Sequence, residues 1–233
     1  MLDVAPAFSR PDLLPERLAE YLRNEIVAGR LKPSHRLIEQ EFAAQLAVSR
    51  VPLREAFRIL AAEGLIAIVP HRGAIVSALS DDELTQLFAV RAGLEAMAAR
   101  AAAQAHSSAR IDAMQQAIER MRRHMSKRDL AAYYSEAGEF HNLLMESSGN
   151  SVLVKLYNQI KPQFRRYQAA MARVPKLPAQ SIREHELIVA AIRKGNPDTA
   201  AKVAEQHVTS VVEQYRAWVA RHDQAEKTKT EKK

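Results

Sequence analysis

The sequence predicts a mainly α protein in two parts: an N-terminal winged helix-turn-helix, then an all-α bundle of six helices. Three observations carry this expectation. Glycine is scarce, at 7 of 233 residues, while the strong helix formers alanine, leucine, glutamate, arginine and glutamine abound. Apolar residues recur at helical spacing along most of the chain. One stretch, Glu39 to Ser77, departs from that pattern and reads as a short helix, a tight turn, a second helix and two short strands.

The first helix starts at Pro15, which the first turn tolerates, and its apolar line is Leu18, Leu22 and Ile26. Gly29 ends it as a left-handed cap. Residues 1–14, interrupted by Pro6 and Pro11, read as a loose arm. Leu31 to Leu37 is a turn leading into an extended piece. The second helix runs from about Glu39 to Leu46, with Glu39 and Glu41 in a first turn whose dipole favours carboxylates. After the turn at Ala47-Val48, Ser49 is the expected N-cap of the third helix, and Pro52 falls in its first turn. Leu53, Ala56, Phe57 and Leu60 form its apolar face, while Arg50, Arg54 and Arg58 recur along another edge. Gly64 stops it, and Leu65 to Val69 and Ala74 to Ala78 form a hairpin around Pro70-His71-Arg72-Gly73.

Ser80 with Glu83 three residues on makes a capping box, and six helices are expected after it: 81–104, 109–126, 129–147, 151–172, 179–194 and 197–221. Pro162 is expected to kink the fourth. The domains are therefore residues 1–79, 80–222 and a charged, frayed tail over 223–233.

Composition narrows the function classes. A net charge of +7 favours acidic partners: nucleic acid, an anionic membrane or small anions. Without cysteine there is no disulfide, iron–sulfur cluster or thiol catalysis, and a metal must use His, Asp or Glu. No apolar run has the length of a membrane span, and MLDVAPAFSRPDLLPE has no basic start before an apolar core. A cytoplasmic protein without a membrane partner is expected.

A helix entering the major groove needs donors near its N-terminus for guanine edges and phosphates. The third helix offers Ser49, Arg50, Val51 and Arg54 there. The turn His71-Arg72-Gly73 adds a basic tip whose glycine allows close backbone approach, and Arg36 adds a phosphate contact. An arginine stripe by itself is usually a solvated face. The argument rests on its conjunction with the helix, turn, helix and basic hairpin.

The run from Leu18 through Ser77, YLRNEIVAGRLKPSHRLIEQEFAAQLAVSRVPLREAFRILAAEGLIAIVPHRGAIV included, resembles the DNA-binding domain of GntR-family bacterial transcription regulators. The resemblance implies operator contacts from Arg36, Ser49, Arg50, Arg54, His71, Arg72 and Gly73. Ser34 stands where a glycine is common, and Ile38 where a hydroxyl cap is common. Residues 80–221 resemble the helical FCD effector domain of the FadR branch, in the smaller six-helix subclass resembling VanR. The matches are Arg91 and Glu95 in AVRAGLEAMAARAAA, EFHNLLMESSGNSVL around His141, and the segment carrying His185 and His207.

His141 shares a helical stripe with Ala137, Leu144 and Met145; His185 with Ile182, Val189 and Ile192; His207 with Val203 and Val211. All three therefore face the core, where packed imidazoles need partners, and a single divalent ion such as zinc satisfies them together. In metal-binding relatives an aspartate one turn before the first histidine is the fourth ligand; that position is Ala137, and Glu136 and Glu139 lie off the stripe. The resemblance also implies an organic-acid effector. Residues 155–183 carry seven basic and no acidic residues, and Arg91 with Arg165 or Arg166 is the candidate cradle for a small anionic metabolite.

The expected function is a ligand-responsive regulator, a repressor, binding a palindromic double-stranded operator as a homodimer. Two rivals stand beside it: a metal-dependent enzyme built on the histidines, and an architectural DNA binder without an effector. No Ser–His pair, paired carboxylates or H-E-x-x-H accompanies the histidines, which disfavours the first.

Overall fold

A computed structural model describes residues 14–69, 73–78, 80–171 and 174–230. The chain divides into two compact units, the first ending at Ala78. Of the expected arm, residues 1–14, all but Leu14, which already belongs to the first helix, lie outside the described residues, as do the wing-tip residues His71 and Arg72 and the side chains of Arg165 and Arg166.

In the first unit, α1 (Leu14–Val27) packs against α3 (Arg50–Ala62). Leu18, Ala19 and Leu22 of α1 are buried with Leu53, Ala56, Phe57 and Leu60 of α3 in one core. Four-residue spacing on both helices puts those side chains on single faces. Arg23, nearly buried, donates from Nε and Nη2 to the Glu63 carboxylate at 2.8 and 2.6 Å, tying α1 to the end of α3. Gly29 and Gly64 follow their helices with φ of 73° and 72°; the left-handed cap was expected at Gly29, and Gly64, expected only to stop its helix, adopts it too.

Between them lie β1 (Arg36–Leu37) and α2 (Glu39–Gln45). The turn after α2 has Ala47 at φ 52°, and the Val48 N–H donates to the Ala43 carbonyl at 3.0 Å, closing the helix. Ser49 occupies the N-cap of α3 with extended backbone, but its hydroxyl makes no capping bond. A cap hydroxyl bonds the N–H two or three residues on, and the latter residue here is Pro52, which has none.

The hairpin is β2 (Ile66–Val69) and β3 (Gly73–Val76). The sheet has three strands rather than the two expected, because β1 joins it in the antiparallel order β1-β3-β2. Arg36 pairs with Ile75, and Val69 with Gly73. The expected extended piece ending at Leu37 is this strand; two residues carry no periodicity, so its pairing has no signal in the sequence. Gly73 has φ +83°, and a Cβ there would stand 2.8 Å from the Leu37 carbonyl oxygen. Its glycine is thus required inside the fold, by backbone conformation and by β1.

The second unit contains α4 (Asp81–Ala105), α5 (Ser108–Ser126), α6 (Leu130–Ser147), α7 (Ser151–Met171), α8 (Leu177–Arg193) and α9 (Pro197–Thr230). Ser80 caps α4, its Oγ accepting from the Glu83 N–H at 3.3 Å. α4 packs against α6, α7, α8 and α9, and buries Ala98, Ala99, Ala102 and Ala103 on a face whose small side chains permit close approach. α7 continues through Pro162. α9 reaches Thr230, past the expected end near 221, since Asp223 to Thr230 contains no glycine or proline to break it. Among the described residues no helix is long and apolar enough to cross a membrane.

Candidate functional site

Two sites emerge, one in each unit. In the first, α3 and the sheet flank a groove lined by Arg36, Arg50, Arg54 and Arg58, with Glu39 and Gln40 from the first turn of α2. Ser49, Arg50 and Arg54 are exposed, and Val51 is 70% exposed, at the N-terminal end of α3. The apolar side of α3 is buried, so the fold leaves this edge outward.

The arginines are not equivalent. Arg54 donates from Nη2 to Glu39 Oε2 at 2.8 Å and from Nε to Oε1 and Oε2 at 3.2 and 3.3 Å. Those bonds from Arg54, together with the Arg50 charge, hold the Glu39 carboxyl below its usual range despite partial burial. Arg58 pairs with Glu55 at 2.7 Å. Arg50 makes no ion pair among the described residues. Gly73 also lines the groove. Sequence reasoning had treated Glu39 only as a helix-dipole residue and had passed over Gln40.

In the second unit His141, His185 and His207 are at most 5% exposed. Helical phase directs them inward from α6, α8 and α9, and one ligand atom of each lies within 4.8 Å of the others. His185 Nε2 and His207 Nε2 are 3.1 Å apart. His207 Nδ1 lies 2.8 Å from Glu184 Oε2, whose other oxygen accepts from Ser210 and Gln180. Burial alone would push the Glu184 carboxyl up; these hydrogen bonds outweigh it and bring it below its usual range.

On the far side stands Glu95, fully buried, with Oε2 3.0 Å from His141 Nδ1. The two atoms are close without hydrogen-bond alignment, and neither has another partner among the described residues. His185 Nδ1 is likewise buried and unpartnered. Burial drives His141 down to about 4, against the pull of Glu95, and takes His185 well below its ordinary value. Both imidazoles are neutral at pH 7, the form that binds a metal.

The donor set fits a divalent ion: imidazole nitrogens converge, and a carboxylate behind His207 orients the ring, as carboxylates bonded to the far nitrogen of a ligating histidine do at zinc sites. Glu136 donates nothing to this cluster, since it accepts from Arg120 at 2.8 Å, and Glu139 accepts from Asn142 at 3.1 Å. Ala137 packs on the core as a bare methyl.

Arg91 is not a free cation. Its Nε donates to Glu95 Oε1 at 2.6 Å, and its guanidinium lies 5.5 and 5.0 Å from the Phe88 and Phe164 ring centroids. Burial would raise the Glu95 carboxyl, but Arg91 and His141 together hold it at about 2. An anion seeking Arg91 therefore meets a guanidinium already paired. Glu95 and Glu184 were missed as site residues in the sequence. The i, i+4 spacing of Arg91 and Glu95 was a readable signal for the first.

The FCD domain family matches residues 86–210, and the family described as bacterial regulatory proteins, gntR family, matches residues 14–76. The "Probable D-xylose utilization operon transcriptional repressor" of Paenarthrobacter nicotinovorans is 28% identical over 83% of this chain and 85% of its own. The gluconate operon transcriptional repressor of Bacillus licheniformis is 26% identical over 84% of this chain and 82% of its own. Among solved structures, McbR/YncC of E. coli superposes with a TM-score of 0.68 at 22% identity, covering 88% of this chain and 99% of that one, a likeness of fold.

Proposed function

The chain belongs to the gntR family of bacterial regulatory proteins and carries an FCD domain, and from that premise we propose a homodimeric repressor whose grip on a palindromic operator responds to a small organic acid. The family is one of transcription regulators, not enzymes, so the metal-dependent enzyme is not the reading taken.

The observation that carries the DNA reading is the groove beside α3, where Arg36, Arg50 and Arg54 share one surface with the exposed N-terminal end of that helix. Ser49, Arg50, Val51 and Arg54 are assigned to the DNA contact at the major groove, to base edges or to the phosphates that flank it; His71, Arg72 and Gly73 are assigned to the wing contact. Two such units on a dimer read two half-sites about one helical turn apart. The exposed Val90 and Met97 of α4 offer an apolar patch for the second copy. An operator places the working compartment in the cytoplasm.

His141, His185 and His207 are assigned to one divalent ion such as zinc. When bound, the ion supplies a Lewis-acidic anchor for a carboxylate. The repressor relative named for a gluconate operon fits a carboxylate-bearing effector class. Arg91 contributes by holding Glu95 in place, and Arg165 and Arg166 remain candidates for the anion.

The test is selection of duplexes from a randomised library by the full chain, followed by binding with and without D-gluconate and other small carboxylates. A recovered palindrome whose affinity changes about 5–150-fold with an acid fits a coupling of roughly 1–3 kcal/mol. Recovery of no sequence preference would overturn the operator reading. Preference without any acid response, together with no saturable rise in melting temperature, would favour the architectural binder.

A further inference from the structure

The groove proposed to meet DNA includes a carboxylate in its lining. Glu39 shares the groove with Arg36, Arg50, Arg54 and Arg58. The helix dipole alone does not require it, because Glu41 occupies the same first turn of α2. Local stability does not require it either, since a pair this exposed, 51% and 25% at the side chains, contributes little. What the pair does is geometric. Two nitrogens of the Arg54 fork rest on one carboxylate, which fixes the plane and reach of the guanidinium.

We propose that Glu39 is the specificity-positioning residue of the DNA face, locking Arg54 as a reader of base edges and leaving Arg50 to follow phosphates. This rests on the reading of α3 as the helix that enters the major groove. A guanidinium held in one orientation loses little freedom on meeting guanine O6 and N7, and cannot swing freely to the backbone. Its Nη1 remains uncommitted to Glu39 and can point onward. Arg50, with no ion pair among the described residues, keeps its rotamers and suits the sequence-independent contact. The carboxylate also repels any phosphate that approaches without Arg54 between them, so a misplaced duplex is penalised and a seated one is not.

The experiment uses the full chain, a duplex selected by the wild type from a randomised library, and a shuffled duplex of equal composition. Glu39→Gln keeps the size of the side chain and removes its charge. The shuffled duplex is expected to bind about three- to tenfold tighter, with its salt slope steeper by about one, as the freed Arg54 joins a phosphate. The selected duplex should gain less, so the ratio between the two falls. Arg54→Ala leaves Glu39 uncompensated; adding Glu39→Ala should then improve binding to the shuffled duplex over the single variant. Melting temperature of Glu39→Gln stays near wild type. Equal weakening of both duplexes with a lowered melting temperature would mean that Glu39 merely pins α2 to α3, and overturns the proposal. An unchanged ratio and slope overturn it too. If Arg54→Ala binds both duplexes as wild type does, the reading of α3 fails instead, a separate result.

Discussion

Glu184 orients the ring of His207. With Glu184 Oε2 2.8 Å from Nδ1, the carboxylate holds that edge of the ring and turns Nε2 towards His185 Nε2. His185 Nε2 lies 3.1 Å from His207 Nε2, and His185 Nδ1 is buried with no hydrogen-bond partner among the described residues. His207 is thus held by a carboxylate behind its ring, and His185 is not.

Glu184→Gln should weaken zinc binding about 10–100-fold, because the ring loses its orienting carboxylate. Competition against a chromophoric chelator reads this directly. Affinity equal to wild type would mean that the ion, if bound, does not use His207.

Ala137→Asp restores a carboxylate four residues before His141 on the same helical face. Zinc affinity should rise at least about tenfold, since an anionic ligand joins three imidazoles. A variant that binds no tighter places the coordination sphere away from position 137.

Stability of the chelator-treated protein should fall on mild acidification. His141 sits near 4 when folded, against about 6.5 when unfolded, so the unfolded chain takes up the proton first as pH drops. Its contribution is full above about 6.5 and is lost as pH falls towards about 4, on the order of 3 kcal/mol. His185 adds in the same direction. Glu95, held at about 2, loses its own contribution only in a lower window, from the usual carboxylate range downward. Denaturant melts at pH 7 and pH 5 separate the windows; equal midpoints would contradict the burial of neutral imidazoles.

Arg91→Ala is expected to destabilise the helical unit by about 3–5 kcal/mol, because it leaves the buried Glu95 carboxylate unpaired. Arg91→Met combined with Glu95→Gln should recover much of that loss. Only the double variant can then report whether an acid effector needs the guanidinium. A stable Arg91→Ala protein would mean that Glu95 is protonated in the fold.

Gly73→Ala should cost about 1–3 kcal/mol, through a left-handed backbone and a collision with the Leu37 carbonyl. The expected readout is a lower melting temperature together with weaker DNA binding. Normal stability with lost DNA binding would assign the glycine to the DNA instead.

Element identity was legible wherever periodicity was long. The six helices after Ser80 follow from apolar spacing and from caps such as Ser80 with Glu83, and helix α3 from Leu53, Ala56, Phe57 and Leu60. The inward aim of His141, His185 and His207 follows from the same arithmetic. The extended backbone ending at Leu37 was legible, but its place as β1 was not, because two residues have no period and become a strand only by pairing with Ile75 and Ala74. The missing bond at Ser49 was latent in Pro52, but the general preference for a serine cap concealed it.

The sequence by itself determined which residues face inward and outward, because that depends on local spacing along each helix. It determined two units and an arginine-bearing third helix. Only the tertiary structure decided which charges meet. Glu39 and Arg54 are 15 residues apart, Glu184 and His207 are 23, and Glu95 reaches His141 from another helix. Those pairings come from how helices pack, which no local period encodes. They give the arginine stripe two paired members, Arg54 and Arg58, beside Arg50, which makes no ion pair among the described residues, and they set a carboxylate on either side of the three histidines.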